Sequence, residues 1–459
     1  MLVVSPLKEE ISVAEAVRTK GLAVAEIGPN GAQEAAGPLL RTTPFERFLL
    51  LTSIVILPLQ DHIPSVAGMS VMSLIFALLA GYIIVNRPNS LGKIWYHPIF
   101  ITAYAFIGVA ALLEFSSPLS SYGEIVRFTQ MIGGAVCVAA LCRDRSALNA
   151  GLYGHIAAAV WVSVVLFFTS YGTLQGMQAD DFSQASKVRA QAFEANPIEN
   201  NINAMAFTCT QGGIVAVALA LVGRVKQHRI LFLGIASFCL VASFFAMSRG
   251  AVLITSISFA VILYAHGVRH GKALIVVAIL GLSLYAVVPD AVWSRMTYSS
   301  ETTRDGKMES RARIYTTVLN RLPEYVVAGV GAGNFRMVWG ASNGFAAGTP
   351  GGAVAGAHNS FLQIAIYWGS LGLLTFLWIC WWVYRSIPLR SGRDELSLGL
   401  LGIIASLGLW LFVMHGFYNK QYAFGLGMLV GAQRWIWPNG IVSSVRTNRP
   451  PLHAQIRPD

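Results

Sequence analysis

The chain has 459 residues, of which 55% are hydrophobic and only 12% are charged. Soluble domains carry about 25% charged residues, so this composition excludes an ordinary soluble protein. Many continuous apolar runs reach the length of about 20 residues that crosses a bilayer, and they lack the short alternating pattern of a barrel. The sequence therefore predicts an all-α polytopic membrane protein.

Residues 1–44 precede the first apolar run and contain no basic segment followed by an apolar core. We therefore predict a flexible cytoplasmic tail and no cleavable signal peptide. The membrane domain is predicted over residues 45–437, and residues 438–459 form a second cytoplasmic tail. Helices of spanning length number about twelve. The predicted spans are residues 45–63, 66–85, 98–115, 122–142, 148–171, 201–222, 230–247, 250–264, 273–288, 358–384, 396–418 and 423–437.

Basic residues concentrate in every second loop between these spans. Cytoplasmic loops of membrane proteins carry such an excess of Lys and Arg, so both termini are predicted to face the cytoplasm. Two longer loops, residues 172–200 and 289–357, are then on the outer face. The formal net charge of +11 thus reflects orientation in the membrane, and we expect no nucleic-acid partner.

No pattern of metal-binding residues is present on the predicted outer face. The five cysteines lie within or at the ends of apolar segments, without a CxxC spacing, so neither a disulfide framework nor a zinc site is predicted. They are Cys137, Cys142, Cys209, Cys239 and Cys380. We expect no metal and no cofactor.

Arginines mark the outer loops. Arg189 lies in the first loop, Arg249 lies in a very short turn between two spans, and Arg311 and Arg313 lie in the large loop. A guanidinium group offers paired donors and a permanent charge, which suits phosphate or pyrophosphate. Contacts with lipid head groups, or ion pairs with acidic residues of the same loops, are the alternative for each arginine.

His358 begins the span that follows the large loop, with Asn359 beside it. An imidazole titrates near neutral pH and is suited to take a proton from an acceptor hydroxyl, although a lone histidine is more often structural. Asn359 is predicted either to cap the helix or to bind a sugar hydroxyl.

A glycine-rich segment, residues 329–335, reads Gly-Val-Gly-Ala-Gly-Asn-Phe. It has neither the Rossmann spacing nor a Walker lysine, so a nucleotide site is disfavoured. A tight turn that brings the backbone close to another element is the preferred interpretation.

Other polar residues lie at or within the spans. Glu124 and Arg127 are three residues apart on one span and are predicted to pair. Gln130, His155 and Gln211 are predicted to find partners inside the bundle. His415 and Lys420 flank the last outer turn and are candidates for lining the same cavity as His358.

Taken together, these segments resemble the O-antigen ligase and O-antigen polymerase superfamily. The resemblance covers about residues 185–375. It rests on Arg311, Tyr315 and Pro323, the turn at 329–335, His358-Asn-Ser-Phe-Leu362 and Gly369. It rests also on Ser248-Arg249-Gly250-Ala251 and, more loosely, on Arg189 and Asn201-Ile-Asn-Ala204. One departure is the longer link between Pro323 and Gly329.

The resemblance implies a metal-independent enzyme of the bacterial cytoplasmic membrane. Such an enzyme moves a glycan from a polyprenyl pyrophosphate carrier to a sugar or lipid-glycan acceptor on the outer face. It implies that His358 is the catalytic histidine and that Arg311, Arg249 and Arg189 hold the donor pyrophosphate; Arg313 and Asn359 are further candidates for substrate binding.

Two questions stay open at the level of sequence. The residues do not separate a ligase, which transfers to a lipid-glycan, from a polymerase, which transfers to a carrier-linked repeat. A transporter or flippase for a lipid-linked or anionic solute is the alternative from another class. The charges lie in loops and at span ends, and this favours the enzyme.

Overall fold

The computed structural model describes residues 41–59, 70–115, 122–174, 182–193, 202–223, 225–267, 288–297, 311–335, 338, 356–387, 394–414 and 416–436. These residues form helices and no strands. The helices are α1 Pro44–Ile56, α2 Val71–Asn86, α3 Pro88–Trp95, α4 Pro98–Phe115, α5 Gly123–Leu141, α6 Arg145–Leu174, α7 Phe182–Phe193, α8 Ile202–Val222, α9 Lys226–Phe245, α10 Arg249–His266, α11 Asp290–Thr297, α12 Arg311–Arg321, α13 Ser360–Ser386, α14 Glu395–Val413 and α15 Gln421–Gly431.

The predicted helical membrane fold is confirmed. Within the described residues, 8 helices are long and apolar enough to cross a membrane, and α2 with α3 forms a further candidate span bent by 110°. The bend falls at Pro88, which occupies the first turn of α3, where its missing N–H costs nothing. The ninth predicted span, residues 273–288, lies almost entirely outside the described residues, and the number twelve stays a prediction.

The two long segments predicted as outer loops contain helices that the sequence does not predict. Helix α7 lies within residues 172–200, and helices α11 and α12 lie within residues 289–357. They are short and far less apolar than the spans, because their sequences carry Lys, Arg, Gln and Asp. The loops are therefore built from helical segments that place their polar residues at defined positions.

Helix α8 lies at the centre of the bundle, with almost every side chain buried. It packs against α6, α9, α10 and α14. A Cβ added at Gly212 would lie 2.2 Å from the Ala159 Cβ, so glycine permits the closest approach of α8 to α6. Small residues at such crossings let membrane helices pack without a hydrophobic driving force.

At one end of the bundle, ion pairs join neighbouring helices, and we name it the Glu46 end. The buried Glu46 carboxylate accepts from Arg87 at 2.9 Å and from Arg143 at 3.0 Å, and so joins α1, α2 and the end of α5. Arg145 pairs with Asp394 at the start of α14. Buried carboxylates need such paired partners, because an isolated buried charge is strongly disfavoured.

The opposite end carries the residues on which the sequence analysis concentrated, and we name it the His358 end. Helix α14 begins at the Glu46 end beside Arg145 and finishes beside Asn359. Helix α5 runs the other way, from Arg127 to Arg143. Three of the basic residues predicted to be cytoplasmic, Arg87, Arg143 and Arg145, thus lie together at the end away from His358.

Candidate functional site

Arginines from three segments meet at the turn between α9 and α10. Arg189 on α7 donates to the Ala246 carbonyl at 3.1 Å and to the Asn203 side chain at 2.8 Å. Arg295 on α11 donates through Nε to the Met247 carbonyl at 3.1 Å. The exposed Arg249 donates to the Arg295 carbonyl at 2.9 and 2.7 Å. The structure therefore brings the predicted residues Arg189 and Arg249 to one turn.

Arg295 was missed by the sequence analysis. Its side chain holds the backbone before Arg249, and its carbonyl receives the Arg249 guanidinium, so the contact is reciprocal. The only signal in the sequence was that Arg295 lies in an outer loop where few basic residues are expected. Several other arginines in the same loop share that signal, so it does not select Arg295.

At the candidate site, the residue two positions before each of the helices α10 and α13 has a left-handed backbone conformation. Met247 and His358 each have φ of 50°, and each is followed by a helix-capping residue, Ser248 or Asn359. Non-glycine residues rarely adopt this conformation, which costs of order 1 kcal/mol and persists where the surroundings hold it in place. At both positions, the backbone turns so that Arg249 and His358 stand at a helix start.

Asn359 caps the helix that follows His358. Its Oδ1 accepts from the amides of Phe361 and Leu362 at 2.9 and 3.1 Å, and its Nδ2 donates to the Phe412 carbonyl at 3.4 Å. The capping alternative for Asn359 is thus confirmed. Because the amide is engaged at both of its polar atoms, its contacts fix the position of the preceding residue, His358.

The segment before His358 is held by a buried glutamine. The Gln363 Oε1 accepts from the Ala357 amide at 2.6 Å, and the hydroxyl of Tyr315 donates to the His358 carbonyl at 3.3 Å. Contacts from α13 and from α12 therefore fix the backbone on both sides of the imidazole.

The end of α14 connects the arginine turn with His358. Asn359 reaches the Phe412 carbonyl, and the Ser360 hydroxyl donates to the Met414 carbonyl at 2.8 Å. On the other side, a Cβ added at Gly250 would lie 2.2 Å from Cγ1 of Val413. Since Gly250 follows Arg249 and Asn359 follows His358, the residues next to both predicted positions pack against residues 412–414.

Helix α12 approaches His358 through Tyr315. Arg311 lies one turn before Tyr315 on the same face of α12, because residues four apart share a helix face. The backbone of α12 thus puts position 311 close to the site, whereas position 313 lies on another face. The side chains of Arg311 and Arg313 are outside the described part of the structure, and their contacts stay predictions.

The glycine-rich segment is a structural turn against a break in α13. Trp368 and Gly369 depart from helical geometry, and the freed carbonyls of Ile366 and Tyr367 accept from Val330 and Gly331 at 2.9 Å each. A Cβ at Gly329 would lie 2.3 Å from the Tyr367 oxygen. The predicted close approach of the backbone is confirmed. The amides that a phosphate would need are occupied.

Glu114, another residue that the sequence analysis missed, completes this turn. Its fully buried carboxylate accepts from the Ala332 amide at 2.8 Å and from the Trp368 indole at 3.1 Å. Buried charges in membrane helices are rare and need such donors. A single acidic residue near the end of a span is the one sign of it in the sequence.

Comparisons with known proteins bear on this same region. The model of the O-antigen ligase family matches residues 234–377. That segment contains the arginine turn, α11, α12, the glycine-rich turn and His358, while Arg189 lies before it. A search of curated proteins found no match.

Proposed function

Because residues 234–377 match the model of the O-antigen ligase family, we propose that the chain transfers a glycan from a polyprenyl pyrophosphate carrier to a sugar hydroxyl of an acceptor. The reaction takes place at the His358 end, on the outer face of a bacterial cytoplasmic membrane. The separation of the basic Glu46 end from His358 supports this orientation, since basic residues favour the cytoplasmic side.

The observation that carries the proposal is the packing of the two helix starts that follow Arg249 and His358 in the chain against one short segment. The Phe412 and Met414 carbonyls hold the start of α13, and Val413 contacts the start of α10. A cation suited to pyrophosphate and an imidazole suited to a hydroxyl proton thus stand on either side of a rigid helix end. Transfer between two substrates requires such an arrangement of fixed groups.

In the proposed reaction, the acceptor hydroxyl attacks the anomeric carbon of the donor glycan. A bond forms between that carbon and the acceptor oxygen as the bond to the pyrophosphate oxygen breaks. His358 takes the hydroxyl proton, and the electron pair leaves with the polyprenyl pyrophosphate. Arg249, Arg311 and Arg189 stabilise the growing negative charge, so the reaction needs no metal ion.

The residues around these groups act by positioning them. The Arg295 carbonyl holds the Arg249 guanidinium, and Asn359, through its cap, fixes the backbone of His358. Arg189 binds the Ala246 carbonyl and Asn203, so part of its role is to hold the turn itself. Arg313 remains a candidate for a substrate contact from α12.

The proposal is tested in a host strain that lacks the gene and carries either the wild-type gene or His358→Ala, with membrane levels of the two proteins matched. Gels of surface glycans are compared. We expect only the wild type to restore long glycan. A single repeat on the acceptor in the mutant indicates a polymerase, whereas bare acceptor with carrier-linked polymer indicates a ligase. Normal glycan with His358→Ala contradicts the proposal.

A further inference from the structure

A second polar cluster lies at the His358 end, apart from the arginine turn. Helix α5 contributes Glu124, Arg127 and Gln130 on one face, since these residues are three positions apart. The turn before α15 contributes Tyr418 and Lys420, and the start of α2 contributes Ser70 and Ser73. We name these residues the Arg127–Lys420 cluster.

The members of the cluster contact one another directly. The Arg127 guanidinium lies 5.5 Å from the ring centre of Tyr418. The distance from Arg127 Nη1 to Glu124 Oε1 is 3.9 Å. The Lys420 ammonium contacts the hydroxyls of Ser70 and Ser73. Ser73 in turn donates to the Gln130 oxygen at 3.2 Å. Three separate segments of the chain thus converge on one polar surface.

Two features of this cluster indicate a ligand. The Arg127 side chain is 61% exposed, although its guanidinium also lies against Tyr418 and 3.9 Å from Glu124, so the exposed part of the side chain is accessible to a ligand. One buried oxygen of Glu124 lacks a hydrogen bond of standard geometry in the described part of the chain, although the Tyr418 hydroxyl interacts with the carboxyl group. A carboxylate oxygen in that position needs a donor, which a ligand hydroxyl would supply.

The cluster is joined to His358 through the chain itself. Residues 412–414 hold the start of α13, and Lys420 follows Met414 by only six residues, a reach of at most about 20 Å. Tyr367, which lies beside Glu124, is one helical turn from Gln363, the residue that binds the amide before His358. The chain segments that hold the start of α13 therefore continue directly into the cluster.

We propose that the Arg127–Lys420 cluster binds the acceptor glycan, with Arg127 and Lys420 on an acidic group of the glycan and Glu124 on a sugar hydroxyl. The acidic group is a carboxylate or a phosphate. This inference rests on the proposed glycan transfer. An anionic lipid head group carries the same kind of charge, and the addition of phosphatidylglycerol to the vesicles distinguishes it from the acceptor glycan.

The test uses the full-length protein in phosphatidylcholine vesicles. Carrier-linked glycan extracted from the knockout host serves as donor. The acceptor fraction from the same host is supplied in native form, with its carboxylates amidated, or after phosphatase treatment. Wild type, Arg127→Gln and the double variant R127Q/K420M are compared for the KM of each substrate and for kcat. Because Arg127 is largely exposed, Arg127→Gln keeps the proposal testable if the double variant fails to fold.

We expect Arg127→Gln, which loses one charge-assisted hydrogen bond, to raise the KM for native acceptor by about tenfold, and R127Q/K420M, which loses two, by about 100-fold, with an unchanged KM for donor. The neutralised acceptor that lacks the bound group should raise the KM of wild type to that of the double variant and should have no further effect on the double variant. The matched control is R385Q/K93M, which removes two similar cation–aromatic contacts elsewhere: Arg385 lies 5.5 Å from the Trp381 ring and Lys93 lies 5.7 Å from the Trp435 ring. It should behave as wild type.

Several results would overturn the inference. These are an unchanged acceptor KM in the variants, a wild type indifferent to both neutralised acceptors, and a defect seen only when phosphatidylglycerol is added, which indicates a lipid head group. His358→Ala is assayed in parallel. If that variant transfers glycan normally, the proposed function itself fails, whatever the acceptor KM shows.

Discussion

Arg295 holds the turn around Arg249 through two hydrogen bonds. Its side chain donates to the Met247 carbonyl, and its own carbonyl accepts from the Arg249 side chain. Replacing Arg295 by glutamine removes the first contact and frees the turn before Arg249. We expect the KM for the carrier-linked donor to rise by about tenfold, because one guanidinium hydrogen bond is lost near the proposed pyrophosphate site. The acceptor KM should not change. Steady-state kinetics of the purified protein with each substrate varied in turn measures both.

The matched control for this prediction is Arg321→Gln. Arg321 is also an arginine of the large loop, and it pairs with Glu324 at 2.7 Å on an exposed surface. Exposed ion pairs contribute little to stability, so this variant should keep both KM values. A donor KM that is the same in Arg295→Gln and wild type would show that Arg295 does not position Arg249.

Asn359 gives a second prediction at this scale. Asn359→Asp keeps the oxygen that caps α13 and loses the donor to Phe412, whereas Asn359→Ala loses both contacts. Loss of a helix cap costs about 1 kcal/mol, so the alanine variant should melt at a lower temperature than the aspartate variant. Its kcat should also fall further, since His358 directly precedes the cap. Equal melting temperatures and equal kcat in the two variants would contradict the positioning role.

Individual residues differ in how far the sequence predicted them. Arg189, Arg249, His358 and Asn359 stood out because each is a polar residue at the edge of an apolar span, where a charge or amide needs a reason. Arg295 and Glu114 did not stand out, because their partners are backbone groups of distant segments. Such contacts leave no pattern in residue type or spacing.

At the scale of elements, the turn at Gly329 and the break in α13 depend on each other. Gly329 has φ of 74° and Gly369 has φ of 62°, and a Cβ at either position would lie within 2.4 Å of backbone atoms of the other segment. Gly329→Ala or Gly369→Ala must therefore separate the two segments. We expect each substitution to lower the melting temperature and to abolish most activity. Gly329 follows α12, whose Tyr315 contacts the His358 carbonyl, and Gly369 lies in α13, which begins just after His358.

Gly133→Ala is the matched control for these two substitutions. Gly133 lies within α5, where an added Cβ has nothing within 4 Å. Alanine at a helical position of this kind is neutral or stabilising by about 0.5–1 kcal/mol. Melting curves of the three variants in detergent distinguish the cases. If Gly329→Ala melts like Gly133→Ala, the turn does not pack against α13 as described.

A histidine at the Glu46 end gives a pH-dependent prediction. The His97 ring, just before α4, lies 3.0 Å from the Gln433 oxygen and accepts from the Ile99 amide. Burial lowers its pKa, assisted by Arg434 and opposed by the bond to Gln433. The folded protein thus favours the neutral ring. The contribution of this ring to stability is complete above the ordinary pKa of about 6.5 and declines as the pH falls toward the lowered value.

We therefore expect His97→Asn to lower the melting temperature more at pH 8 than at pH 5.5. Asparagine keeps an acceptor for the Ile99 amide but does not titrate, so the pH dependence specific to the ring disappears in this variant. A melting-temperature difference between wild type and variant that grows as the pH falls would contradict the stated direction of the pKa shift.

The elements themselves were predicted well where hydrophobicity decides them. Spans such as α4, α8 and α14 begin and end within a few residues of the apolar runs, because lipid requires a continuous apolar helix with satisfied backbone groups. The break in α13 was not predicted, since the Trp-Gly pair at its centre is as apolar as its surroundings. The helices within the outer loops were missed because their composition is that of ordinary polar segments.

For the molecule as a whole, the distribution of basic residues is the feature that sequence and structure share. The residues predicted to be cytoplasmic gather at the Glu46 end, where Arg87, Arg143 and Arg145 join helices through Glu46 and Asp394. The candidate site is built at the other end from α7, α10, α11, α12 and α13. The sequence predicted which residues share an end, whereas their convergence on residues 412–414 required the packing of α14.

The measurement that tests the account most directly separates donor binding from transfer in the purified protein. Carrier-linked donor and native acceptor are supplied to wild type, His358→Ala and Arg249→Gln, and donor binding and product are measured in the same samples. We predict that His358→Ala binds donor as wild type does but transfers at least about 100-fold more slowly, as expected for loss of a general base. Arg249→Gln should bind donor weakly. Wild-type transfer by His358→Ala would contradict the account.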